Sequence, residues 1–197
     1  MYKTITETTR DSQEQWLKTY YFMRAAFAIV WVLAAAKAAP YPLAAALLLI
    51  AYPAWDALAN LLDGARSGGI KSNQTQALNA VASLAVTAAV ALWIGDMHRV
   101  LAVFGVWAIL SGVLQLATGV RRWKTSGAQW AMILSGAQSA LAGGFFISQA
   151  SAPADPSITA IAGYAGFGAF YFLLSGLALS IRARRRKAAV NAGARIR

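Results

Sequence analysis

A chain of 197 residues in which 58% are hydrophobic and 13% are charged is too apolar for an ordinary water-soluble domain. It has no cysteine and one histidine, His98, which excludes disulfides, thiol chemistry, thiolate metal sites and any His cluster within the chain. The net charge of +11 would suit a nucleic acid if it followed one face, but it is dispersed in the gaps between apolar runs, which points to a membrane and away from nucleic acid.

Six apolar runs, over 20–39, 43–62, 77–94, 100–120, 128–147 and 158–181, are each about the 20 residues a helix needs to cross a hydrocarbon core of ~30 Å. The sequence therefore predicts an all-α polytopic membrane protein: a tail over 1–19, a six-helix transmembrane domain over 20–181 and a basic tail over 182–197. Bases alternate between the gaps. Lys3, Arg10 and Lys18 precede the first run, Arg66 and Lys71 lie in the second gap, and Arg121, Arg122 and Lys124 lie in the fourth. The odd gaps offer only Lys37 and Arg99. Basic loops stay in the cytoplasm, so both termini are expected there, in a bacterial inner (cytoplasmic) membrane.

The N-terminal residues mix acids and bases, and the first apolar run is late and long, so a cleavable signal is not expected and the first span itself is read as the insertion signal. Ser12 and Gln15 resemble a capping box, predicting a short interfacial helix from about Ser12 that presents Trp16, Tyr20 and Tyr21 to the headgroups, behind a disordered stretch over 1–10. Pro40 and Pro42 make the first outer turn. The second gap, 64–76, carries Gly68-Gly69, and the third is the short Gly95-Asp96-Met97-His98-Arg99. His98 there reads as a solvated loop residue, with acid sensing as the alternative. Short gaps fold successive spans into three antiparallel hairpins. The last span runs into Arg182, Arg184, Arg185, Arg186 and Lys187, a stop signal and an anchor for anionic lipid headgroups.

The hairpins resemble one another. Gln76 with the run ending Leu92-Trp93-Ile94 aligns with Gln129 and the run ending Phe145-Phe146-Ile147, Ser111-Gly112 aligns with Ser175-Gly176, and Trp55 lies opposite Trp107. Two-span repeats keep one orientation and are related by an axis along the membrane normal. The stretch 103–149, with Val-Phe-Gly-Val-Trp-Ala-Ile-Leu-Ser-Gly-Val-Leu-Gln-Leu, Gly-Val-Arg-Arg-Trp, Trp-Ala-Met-Ile-Leu-Ser-Gly and Gly-Gly-Phe-Phe-Ile, resembles the hairpin unit of the HdeD-like bacterial membrane proteins. The resemblance is best over spans three to six. It implies an inner-membrane protein of six spans, linked through the family's namesake to acid resistance, and it carries over no catalytic motif.

Ionisable groups inside a span are costly and ask for a reason. Asp56, Asn60 and Asp63 share one face of the second span, one turn after Pro53, which frees a carbonyl. Asp63 lies near the cytoplasmic end, wet or paired locally with Arg66. Asp56 lies deeper, and Arg24 on the first span comes to the same depth within ~5 Å. The plainer reading is a structural ion pair, and the alternative is a proton or ion relay. Asn79, Ser83 and Thr87 form a stripe on span three, Gln115 lies in span four, and Ser135, Gln138 and Ser139 lie in span five. These are read as inter-helix glue of ~0.6 kcal/mol each, with a polar cavity as the alternative. Small residues at Ala131, Ser135, Ser139 and Gly143, and at Gly163, Gly166 and Gly168, predict close helix packing and leave a homo-oligomer open. The segment from Asp56 to Arg66 is similar in part to the metal motif of membrane CDP-alcohol phosphotransferases, but its aspartates are seven apart and no later pair follows, too few carboxylates for a hard cation. With no triad, phosphate loop, metal cluster or cofactor motif, the expected function is non-enzymatic, in envelope or acid stress, with a small transporter or channel around Asp56 as the alternative.

Overall fold

The computed structural model describes residues 2–121 and 129–194, with side chains over 12–117 and 133–186 and at Val120 and Ala188. Arg122, Lys124, Arg195 and Arg197, and the side chains of Ala131 and Lys187, lie outside the described residues. Six α-helices follow in order: α1 (Tyr2–Ala38), α2 (Pro42–Arg66), α3 (Gln74–Leu92), α4 (Met97–Arg121), α5 (Gln129–Ala150) and α6 (Thr159–Ala194), with a short 3₁₀ turn at Ile70–Ser72 and no strand among the described residues. Five of them, α1, α2, α3, α4 and α6, are long and apolar enough to cross a membrane. Val30, Leu43, Leu92, Leu141 and Phe145 are among many large apolar side chains left exposed, a surface that suits lipid and would aggregate in water. The chain is thus a helical membrane protein.

The first helix corrects one expectation. Residues 2–10 are not a disordered tail, nor does a separate short helix begin at Ser12; both are part of α1. No Gly or Pro occurs before Pro40, so nothing stops the helix from propagating outward once its apolar stretch is formed. The other end behaves alike: the basic run over 182–187 is not a loose tail but continues α6. The two extensions are tied by an ion pair, Arg186 Nη1 to Glu14 Oε2 at 2.8 Å.

The turns follow local chemistry. The amide of Tyr41 donates to the Ala38 carbonyl at 2.8 Å, and Tyr41 is extended (φ −117°, ψ 96°), as a residue before proline must be, with Pro42 opening α2. After α2 the backbone turns left-handed at Gly68 (φ 103°) and Gly69 (φ 94°). Asn73 Nδ2 then reaches back to the carbonyls of Gly64, Ser67 and Gly69, at 3.3, 2.8 and 2.9 Å, satisfying acceptors that the helix end leaves open. Asp96 Oδ1 accepts the Arg99 amide at 3.1 Å and caps α4. His98 therefore sits in the first turn of a helix, not on a solvated loop.

The helices close into a ring in chain order, each packed on its neighbours, with α6 returning to α1. The extensive interfaces are α4 with α5, α1 with α6, and α2 with α3; α1–α2 and α3–α4 are thinner, and α5 barely meets α6. The tightest antiparallel pairs are therefore not the three hairpins formed by spans one and two, three and four, and five and six. They straddle those hairpins. In the α4–α5 pair, a Cβ added to Gly112 would fall 2.5 Å from the Gly136 carbonyl oxygen, and one added to Gly143 would fall 2.5 Å from that of Gly105. The close face of α5 is Gly136, Ala140 and Gly143, seated on Gly105 and Gly112; of the expected stripe, Gly143 lies on this face and Ser139 donates to the Ala108 carbonyl of α4 at 3.0 Å, while Ser135 makes only the long contact with Gln115.

The ring has two unlike ends. The start of α1, the end of α6, the α2–α3 connection and the adjoining ends of α4 and α5 lie at one, here the basic end. The far end carries the α1–α2, α3–α4 and α5–α6 turns, and there Trp31, Leu49, Val90, Leu101, Phe104, Phe146 and Ile161 fill the interior as one apolar core.

Candidate functional site: a cavity in the basic half

Below that core the ring encloses a cavity of about 350 Å³, lined from all six helices. Its floor is built around Asp56. Arg24 Nη2 of α1 bonds Asp56 Oδ1. Asp56 Oδ2 accepts from Ser83 Oγ on α3 at 2.7 Å and from Asn60 Nδ2 at 3.0 Å, one turn along α2. Arg24 Nη1 donates to Tyr20 Oη at 2.9 Å, and the guanidinium carbon lies 4.4 Å from the centre of the Phe172 ring on α6. The network thus ties α1, α2, α3 and α6 together. Each charge has a partner, as a charge away from bulk water requires.

A second carboxylate lies nearer the mouth. Asp63 is buried, and its oxygens take Trp16 Nε1 at 3.1 Å, Ser67 Oγ at 3.3 Å and Gln76 Nε2 at 3.2 Å. It is neither wet nor paired with Arg66, which instead rests its guanidinium 4.9 Å from the centre of the Trp16 ring. All its donors among the described residues are neutral.

The rest of the wall is mostly aromatic. Tyr52 packs edge-on against Trp107 at 6.1 Å, and Phe27 stacks on Trp55 at 4.6 Å. Where α5 and α6 diverge, two hydrogen bonds bridge the gap: Tyr171 Oη to Gln138 Oε1 at 2.8 Å and Tyr164 Oη with Ser139 Oγ at 2.9 Å. Trp55 Nε1 is buried and finds no acceptor among the described residues.

Of the residues expected from sequence, Arg24, Asp56, Asn60 and Ser83 form one bonded network. Asp63, Asn79, Gln115 and Gln138 line the same cavity without joining it, Gln115 in a long 3.4 Å contact with Ser135. Ser83 is fully buried behind the wall, where Thr87 donates to its carbonyl. Arg182, Arg184 and Arg185 are exposed on the extension of α6, and Arg186 is tied to Glu14, so the residues expected to meet lipid headgroups lie on a helix. No group of His, Asp and Glu side chains suited to a metal occurs among the described residues. The aromatic lining, Tyr52, Trp107, Tyr164 and Tyr171 above all, escaped the sequence reading. A tyrosine in mid-span carries a hydroxyl that must find a partner, and that signal would have turned these residues inward.

No protein-family model, no curated protein and no solved structure matches this chain.

Proposed function

We propose that the chain is a six-span, non-enzymatic protein of a bacterial inner membrane, HdeD-like in type, that takes up a small solute in the cavity above Asp56 and carries it across. The observation that supports this is the asymmetry of the ring. A polar and aromatic cavity around Asp56 occupies the basic half, while a packed apolar core fills the far half. That is the form expected of a carrier open to one side, with its site near mid-membrane. With both termini and the basic gaps in the cytoplasm, the open side is cytoplasmic, and the sixth span is α5. The three-hairpin repeat enters as ancestry rather than packing, since the tight pairs straddle the hairpins.

A second reading rests on Asp56 itself, which is fully partnered: the protein is then a structural element of the envelope, in acid or other stress, and the Arg24–Asp56 pair only holds the ring. Accessibility separates the two. The chain has no cysteine, so Asn79→Cys gives a single thiol in the cavity wall. A membrane-impermeant thiol reagent is expected to label it from the basic side quickly and from the far side slowly but measurably, as the ring alternates. Labelling from the basic side alone, with no growth or stress phenotype in Asp56→Asn, favours the structural element. Reporter fusions at both termini test the orientation, and a periplasmic signal from either overturns it.

A further inference from the structure

The charges facing the cavity are few enough to sum. Among the described lining residues they are Arg24, Asp56 and Asp63, one positive and two negative, for a net −1. Arg24 and Asp56 bond each other. Among the described residues Asp63 has neutral donors only. An anion entering the cavity would find, among the described lining residues, no cation that is not already engaged, whereas a cation would find a carboxylate that makes no ion pair among the described residues. Among the described residues, the other bases of the +11 chain lie outside the cavity lining, among them Arg66 on the Trp16 ring.

Ten of the twenty-five lining residues are aromatic, far more than a polar solute needs. Ring faces attract cations, most strongly those that are weakly hydrated. The cavity already shows this use: Arg24 rests on the rings of Phe172 and Tyr20, at 4.4 and 5.7 Å, and at the mouth Arg66 rests on Trp16. A volume of about 350 Å³ is that of a small-molecule site, too large for a bare metal ion.

We infer that the cavity binds a small organic cation, an ammonium with apolar substituents, steered by Asp63 and held against the aromatic wall. The inference rests on the small-solute reading above and specifies its ligand class. The test uses the full chain in lipid nanodiscs and isothermal titration with three probes, empty nanodiscs subtracted: benzoylcholine, its uncharged carbon isostere 3,3-dimethylbutyl benzoate, and the anion 4-tert-butylbenzoate. Benzoylcholine is expected to bind at least tenfold more tightly than either of the others. Asp63→Asn, which keeps an acceptor for Trp16, is expected to remove most of that preference while leaving the isostere unchanged. Equal affinities, or a preference for the anion, overturn the cation assignment but leave a small-solute site. Failure of all three to bind a folded protein overturns that reading too. The comparison of probes on the unaltered chain stands even where Asp63→Asn does not fold, and retained preference in a folded Asp63→Asn removes Asp63 from the site.

Discussion

The two halves of the ring are made from the same six helices and behave as different materials. In the far half the interior is packed, and Trp31 Nε1 donates to the Leu48 carbonyl at 2.7 Å, in the turn before Pro53. In the basic half the interior is open, Arg24 and Asp56 pair across helices, and Trp55 holds an indole N–H without an acceptor among the described residues. Two tryptophans on neighbouring helices thus mark the boundary. The difference teaches where function can reside. A helix interface in lipid gains little from burying apolar surface and relies on close packing and hydrogen bonds. A half that gives up packing for a cavity must recover stability from bonds, which is what Arg24, Asp56, Ser83 and Asn60 supply.

The largest expected effect is therefore in the basic half. Removing one partner of the Arg24–Asp56 pair leaves a charge in a largely enclosed site, at a cost of about 3–5 kcal/mol where burial is complete. The pair is 13% and 16% exposed, so the lower end of that range is expected. Asp56→Ala and Arg24→Ala should each depress thermal unfolding in detergent, and the double variant should recover part of the loss. Strict additivity would mean that the bond does not hold the basic half together.

Next comes the packing that spans both halves. Gly143 and Gly144 are adjacent on α5, yet a Cβ on Gly143 would meet the Gly105 carbonyl at 2.5 Å, while one on Gly144 would meet nothing within 4 Å. Gly143→Val should cost about 1–3 kcal/mol or more by forcing α4 and α5 apart. Gly144→Val should be close to neutral in the same unfolding assay. Equal effects would show that helix propensity, not the interface, decides at these sites.

How much of this contrast was legible in the sequence differs between the halves. The ion pair was, because a 1.5 Å rise per residue places Arg24 and Asp56 at one depth and a carboxylate in a span demands a partner. The stripe Asp56, Asn60 and Asp63 was equally plain. What periodicity does not carry is which helices meet. Ser135 and Gly136 are both small, and only the α4–α5 register shows that Gly136 makes the contact. The ring closure of α6 on α1 brings Phe172 to Arg24, residues 148 positions apart in the chain. Aromatic rings on an apolar span suit lipid as well as a cavity wall, so Trp107 and Tyr171 gave no direction of their own. The burial of Asp63 was missed because its partner Trp16 sits on a segment whose helical continuation into α1 was not expected.

A smaller effect separates the two tryptophans. Trp31→Phe removes a hydrogen bond to a buried carbonyl and should cost about 1–2 kcal/mol. Trp55→Phe removes a donor that has no acceptor and should be neutral or slightly stabilising in the empty protein. The pair of unfolding measurements sharpens the contrast directly: a larger loss at Trp55 than at Trp31 would mean that the indole N–H is satisfied in the membrane and that the halves do not differ as drawn.

The smallest effect lies at the far surface. His98 Nδ1 is 3.0 Å from the Ala150 carbonyl oxygen, and Nε2 is 3.3 Å from Asp155 Oδ1. Both partners are acceptors, so both contacts are hydrogen bonds only when each ring nitrogen carries a proton. A neutral ring can keep the proton on Nδ1 and the bond to Ala150, and then loses only the attraction to Asp155, a carboxylate that is 99% exposed. The two contacts hold the α5–α6 turn against α4, and His98→Ala should loosen it by less than about 1 kcal/mol because the pair faces water. Hydrogen exchange over residues 151–158 is expected to quicken in His98→Ala relative to the unaltered chain under the same conditions. Identical exchange in the two proteins would remove the tie, leaving the far end closed by its apolar core alone.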